Sequence, residues 1–151
     1  MRDQVIDVHA WTAASPAEVY RLLRSGATWP TWSPIDAFTL EREGHDGGES
    51  LGAVRVFHTG RATSHEEIVE LQPDRRFSYA LQHGLPIRDY RADVDLEARD
   101  GGTAIHWHSR FRAALPGTGP LFRIALGRFI QRCADGLAAH AAEASERSTP
   151  A

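Results

Sequence analysis

His106 and His108 stand two residues apart in a run, Thr103 to Arg112, that otherwise alternates apolar and polar positions. In an extended strand both imidazoles therefore leave on one side, an arrangement that could offer two nitrogens to a metal ion. The run before it, Arg88 to Ala98, alternates apolar Tyr90, Ala92, Val94 and Leu96 with charged Asp89, Arg91, Asp93, Asp95 and Glu97. A hairpin turning at Asp100-Gly101-Gly102-Thr103, with the paired glycines at its centre, would oppose Glu97 to His106, Asp95 to His108 and Asp93 to Arg110. Facing carboxylates account for the histidines as solvated cross-strand partners, so neither a metal nor a cofactor is expected.

Other reactive groups are sparse. Cys133 is the single cysteine, which excludes an internal disulfide and any multi-cysteine metal site. It falls on an apolar helical stripe and reads as a small buried hydrophobe rather than a nucleophile. The chain has no lysine and no asparagine, so lysine Schiff-base chemistry is ruled out. The sequence contains no nucleophile–base motif, no phosphate-binding glycine loop and no cysteine cluster.

The elements that must position these side chains are legible in the patterning. Val5 to Trp11 alternates weakly as a strand. Ser15-Pro16-Ala17-Glu18 then reads as an N-cap, a first-turn proline and an acid, and Val19, Leu22 and Leu23 supply the apolar stripe of a short helix ending near Gly26. From Ile35 to Arg112 come strand signals bounded by Gly, Pro and Asp: Phe38 and Leu40, Val54 and Val56, Ile68 to Leu71, Phe77 to Leu81, then the hairpin. From Gly119 the period becomes helical, with Phe122, Leu126, Phe129, Ile130, Cys133, Leu137 and His140 on one stripe and Ile124 an exception on the polar side. Gly127 and Gly136 in that helix would permit a bend or a close approach.

At 151 residues the chain fits one domain able to bury about two thirds of its unfolded surface. The reading places that domain at residues 1–145, with 146–151 as a disordered tail. A net charge of −3 without a basic face argues against nucleic acid as a partner. The N-terminal MRDQVIDVHAW breaks its apolar positions with Asp and His, so neither a signal peptide nor a membrane span is expected, and a cytoplasmic location follows.

Thr28-Trp29-Pro30-Thr31-Trp32-Ser33-Pro34 holds half of the four tryptophans between two prolines. Together with Ser15-Pro16-Ala17-Glu18-Val19-Tyr20, Gly52, Glu70-Leu71-Gln72-Pro73-Asp74-Arg75-Arg76-Phe77 and Gly102-Thr103, this motif order resembles the START-like, helix-grip (SRPBCC) superfamily. Within it, the chain resembles the polyketide cyclase/dehydrase and lipid-transport family. The resemblance covers nearly the whole chain. It implies an α+β helix-grip fold: a curved antiparallel sheet of about seven strands wrapped around a long C-terminal helix, with two short helices after the first strand. Trp29 and Trp32 would then plug the closed end of a cavity, and the turns at His58-Thr59-Gly60, His83-Gly84-Leu85-Pro86 and Leu115-Pro116-Gly117 would surround its mouth.

The apolar faces give that cavity its expected walls: Trp29, Trp32, Phe77, Tyr79, Tyr90, Val94, Trp107, Ser109, Phe111, Phe122, Leu126, Phe129 and Ile130. The implied partner is a hydrophobic small molecule, lipid-like or polyketide-like, and a homodimer is compatible with the fold. Two functions fit: a binding or carrier protein, or an aromatase/cyclase or dehydratase in which His65, Tyr79, Tyr90 or Ser109 moves protons. His65, within Thr63-Ser64-His65-Glu66-Glu67, cannot be assigned a face, because the apolar alternation fails there.

Overall fold

The computed structural model describes residues 2–148. β1 (Gln4–Thr12) is followed by α1 (Pro16–Arg24), a 3-10 turn (Gly26–Thr28) and the one-turn α2 (Trp29–Trp32). Six further strands follow: β2 (Ala37–Arg42), β3 (Val54–Thr59), β4 (Ala62–Gln72), β5 (Arg76–His83), β6 (Ile87–Arg99) and β7 (Gly102–Ala113). The long α3 (Gly119–Ser148) completes the chain. It runs three residues into the expected tail, and residues 149–151 lie outside those described.

All seven strands form one antiparallel sheet in the order β1-β7-β6-β5-β4-β3-β2. Consecutive strands from β2 to β7 are joined as a meander, and β1 closes against β7. The concave face holds one apolar core of sheet, α1, α2 and α3 residues. Among the described residues, no helix is long and apolar enough to cross a membrane.

Local sequence explains the boundaries. The Ser15 side chain accepts a hydrogen bond from the Glu18 amide at 3.2 Å, and Pro16 occupies the first turn of α1, where its missing N–H costs nothing. The β6–β7 turn differs from expectation. Asp100 and Gly101 take the two left-handed positions (φ 53° and 78°), so Arg99 pairs with Gly102, Asp95 with His106 and Asp93 with His108. Asp tolerates that conformation nearly as well as Gly, and an Asp-Gly pair satisfies the same turn one residue earlier. Each opposition moves by two residues in all, so the faces are preserved.

α3 grips the sheet unevenly. Toward its C-terminal half the stripe is built, around the fully buried Leu137, mainly of small residues, Cys133, Ala134, Ala138 and Ala141, all buried, which lets the helix lie close to the sheet and to α2. At Gly136 the approach is closest: a Cβ there would stand 1.8 Å from the Trp32 carbonyl oxygen. Gly127 meets nothing within 4 Å, so no close approach accounts for it. In the N-terminal half the stripe carries Phe122, Leu126 and Phe129, only partly buried, and here helix and sheet stand apart.

Candidate functional site

The gap is a cavity of about 270 Å³ between the N-terminal half of α3 and the concave faces of β3 to β6. α3 contributes Phe122, Leu126, Phe129, Ile130 and Cys133, and α2 contributes Trp29. Thr59 and Ala62, flanking the β3–β4 turn, and Leu85, in the β5–β6 turn, also line it, so two of the three loops expected around a mouth border the cavity; Leu115-Pro116-Gly117 contributes no lining residue.

Seven of the expected wall residues line this space: Trp29, Tyr79, Tyr90, Phe122, Leu126, Phe129 and Ile130. The other six do not. Phe77, Val94, Trp107 and Phe111 are each 0% exposed, and Trp32 and Ser109 are nearly so. Phe77, Val94, Trp107 and Trp32 form the packed floor of the cavity, while Ser109 and Phe111, on β7 opposite Ala92 and the Tyr90 bulge, pack beside it. The expectation extended the cavity along the whole apolar face, whereas side-chain volume on α3 confines it to one half.

The tryptophans seal that floor. The rings of Trp29 and Trp32 lie 4.7 Å apart, and Trp29 also meets Phe57 at 4.9 Å and Trp107 edge-on at 5.7 Å. Both indole N–H groups are satisfied locally, Trp29 donating to the Leu23 carbonyl at 3.1 Å and Trp32 to the Thr28 hydroxyl at 3.0 Å. Beneath Trp29 lies Arg55, fully buried, its guanidinium 4.8–5.0 Å from the rings of Trp29, Phe57 and Phe77. Its Nη1 donates to the Leu23 carbonyl at 3.0 Å, the same oxygen that accepts from Trp29, and to Glu49 Oε1 at 3.2 Å, so a carbonyl at the end of α1 is served by two side chains.

The polar groups facing the cavity are few. Trp107 Nε1 donates to the Tyr79 hydroxyl at 3.3 Å, and the Tyr79 and Tyr90 hydroxyls stand 3.5 Å apart. Burial holds both phenols well above their ordinary pKa, so they act as neutral hydrogen-bonding groups. A bulge places Tyr90: Asp89 adopts φ 54° and the β6–β7 register slips between Arg88 and Arg91. Ile87 and Tyr90, three apart, consequently both face inward.

The carboxyl group in the lining is Glu66, which the sequence reading passed over. Ile68 is wholly buried on the concave face, and counting back along β4 puts Glu66 and Ser64 on that face and His65 on the other. His65 does not line the cavity. Its ring stacks on His83 at 3.8 Å, and its Nδ1 lies 2.9 Å from Glu41, an arrangement on the opposite face of the sheet from the lining. The adjacent apolar pair Ile68-Val69 hid the phase of β4, because a register slip falls between Ile68 and Glu70.

Glu66 Oε2 accepts from the Ser64 hydroxyl at 3.0 Å, while Oε1 is shielded from solvent and has no hydrogen-bond partner among the described residues. Burial raises its pKa to about 7, against the opposing influence of Arg55 and of Ser64. Cys133, at the cavity base, is buried, and its thiol is pushed up by that burial and by the Glu66 charge. It is not a thiolate nucleophile.

Comparison with known proteins agrees with this architecture. A START superfamily protein from Mycobacterium smegmatis superimposes with a TM-score of 0.80 at 14% identity, covering 93% of this chain and 99% of that one. Ara h 8.0201 gives a TM-score of 0.76 at 13% identity over 94% of this chain and 99% of its own. XoxI from Bacillus cereus gives 0.73 at 14% identity over 96% and 99%. These likenesses bear on the fold alone. No curated protein matches the sequence. The family described as "Polyketide cyclase / dehydrase and lipid transport" matches residues 5–142, nearly the whole of the domain. With its helix-grip sheet and the cavity between that sheet and α3, this chain belongs to that family and has a START-like fold.

Proposed function

We propose that the protein binds a small hydrophobic molecule of about two fused rings in the cavity, its single polar group directed at Glu66. The observation that carries this reading is the composition of the lining: mostly aromatic and aliphatic side chains, with few polar groups and one unpaired carboxylate oxygen. Size sets the ligand class. A cavity of about 150 Å³ accommodates benzene, so the 270 Å³ here suits a bicyclic compound better than an extended polyketide chain. The unpaired Oε1 calls for a hydroxyl or N–H donor, since a buried acceptor without a partner costs about 1–3 kcal/mol. Affinities for phenol, 2-naphthol and 2-hydroxyanthracene, followed by tryptophan fluorescence, test this. The account expects a maximum at 2-naphthol, and affinity rising steadily through the tricyclic compound contradicts it.

The same carboxyl supports a second reading, proton transfer on a bound substrate. A pKa of about 7 is suited to general acid–base work at neutral pH, and the presence of Glu66 in the lining, with His65 outside it, supports Glu66 in that role. Tyr79 and Tyr90 would orient a carbonyl by hydrogen bonding. If this holds, Glu66→Gln lowers turnover of a cyclisable or dehydratable substrate a hundredfold or more while leaving its affinity nearly intact. Equal losses in both would assign Glu66 to binding alone.

A further inference from the structure

The convex face of the sheet, opposite the cavity, carries a cluster that the cavity's chemistry does not use. His9 of β1 pairs with His106 of β7, and Asp7 with His108, so four titratable side chains meet on neighbouring strands. The His9 and His106 rings stack nearly parallel at 4.4 Å, and His108 also stacks on His106 at 4.4 Å. One atom, Asp7 Oδ1, lies 2.7 Å from His9 Nε2 and 3.1 Å from His106 Nε2.

We propose that Asp7, His9 and His106 form a surface site for a borderline divalent cation of the Zn²⁺ class. Three ligand atoms of the right kind already converge: two imidazole nitrogens and a carboxylate oxygen within 4.8 Å of one another. In a tetrahedral zinc site with bonds of about 2.0–2.1 Å, neighbouring ligand atoms stand about 3.3 Å apart. The 2.7 and 3.1 Å separations must open by about 0.6 and 0.2 Å, and the stacked rings of His9 and His106 must turn so that both nitrogens point at one ion. No arginine engages Asp7; its ion-pair partners among the described residues are the two histidines, so a cation meets no competing guanidinium. Asp95, by contrast, is held by Arg76 through both oxygens, at 2.6 and 3.0 Å, and acts behind the site by fixing His108 at 2.7 Å. Water completes the coordination, because three protein ligands on an open sheet face leave a position exposed.

The sequence alone offered only His106 and His108 and set facing carboxylates against them. The third strand supplies the missing ligands: β1 returns beside β7 and brings Asp7 and His9 to His106. The site stands apart from the proposed ligand cavity, on the other face of the sheet, and neither claim depends on the other.

The test is zinc titration of the untagged, chelator-treated chain by calorimetry, with visible absorption of the Co²⁺ form reporting coordination geometry. One ion per chain is expected, with affinity lowered at least tenfold by His9→Ala, by His106→Ala and by the shape-preserving Asp7→Asn, and unchanged by His83→Ala. Absence of binding, binding indifferent to all three substitutions, or equal loss with His83→Ala would overturn the assignment. Circular dichroism of each variant confirms that the fold persists, and Asp7→Asn, an exposed isosteric change, keeps the test decisive should an alanine variant fail.

Discussion

Arg55 and Glu66 are paired across the β3–β4 ladder, yet the guanidinium turns away to the Leu23 carbonyl and to Glu49, leaving Glu66 Oε1 unpaired toward the cavity. Two buried opposite charges on neighbouring strands would ordinarily form a direct pair. Here the cation is committed to holding α1 and the Trp29 ring, and the anion keeps a free oxygen. A polar group that a fold does not satisfy internally is available to something that enters the cavity.

That carboxyl gives the protein a pH signature. Its pKa is raised on folding from the ordinary 4.5 to about 7, so between those values the folded state binds the proton and the unfolded state does not. Glu66 therefore contributes stability that is fully present below about pH 4.5 and is lost as pH rises through about 7. Urea denaturation at pH 5 and pH 8 should show wild-type stability falling more than that of Glu66→Gln. The same fall in both variants would mean that the carboxyl titrates normally.

The floor and the convex face should respond very differently to truncation. Trp107→Ala removes a wholly buried ring and should cost about 3–5 kcal/mol. His108→Ala, on the partly exposed outer face, should stay within about 1 kcal/mol. Chemical denaturation of the two variants checks the assigned faces.

Gly136→Ala separates helix propensity from packing. In an unobstructed helix the change would stabilise by about 1 kcal/mol. Here the new Cβ falls 1.8 Å from the Trp32 carbonyl oxygen, backbone that cannot swing aside, so a net loss of about 1–3 kcal/mol is expected. A melting temperature that rises instead would place α3 farther from α2 than described.

The capped first helix, the strand meander and the amphipathic C-terminal helix were legible because each rests on a local period: Ser15 with Pro16, the alternation around Val94 and Trp107, the stripe through Leu137. Most of the site's outline was legible for the same reason, Tyr79 and Tyr90 included. What the sequence hid was phase and volume. Irregularities at Asp89 and between Ile68 and Glu70 shift side-chain parity without any glycine or proline to mark them. Glu66 consequently went unassigned and Ile87 was not expected to face inward. Counting back from Ile68 as the more central of two apolar neighbours would have found Glu66. The extent of the cavity depends on the change from Phe and Leu to Ala and Cys along α3, a contrast that reads as one continuous stripe when only polarity is counted.

The central claim is that the cavity holds a small apolar ligand with Glu66 as its polar anchor, and calorimetric titration of 2-naphthol tests it most directly. The account predicts one molecule per chain and loss of binding in Leu126→Trp, which fills the cavity from α3. It also predicts wild-type affinity rising about fivefold from pH 6 to pH 8, as a neutral acceptor becomes a charged one, and no such rise in Glu66→Gln. Binding that survives Leu126→Trp, or a pH dependence shared by Glu66→Gln, would contradict it.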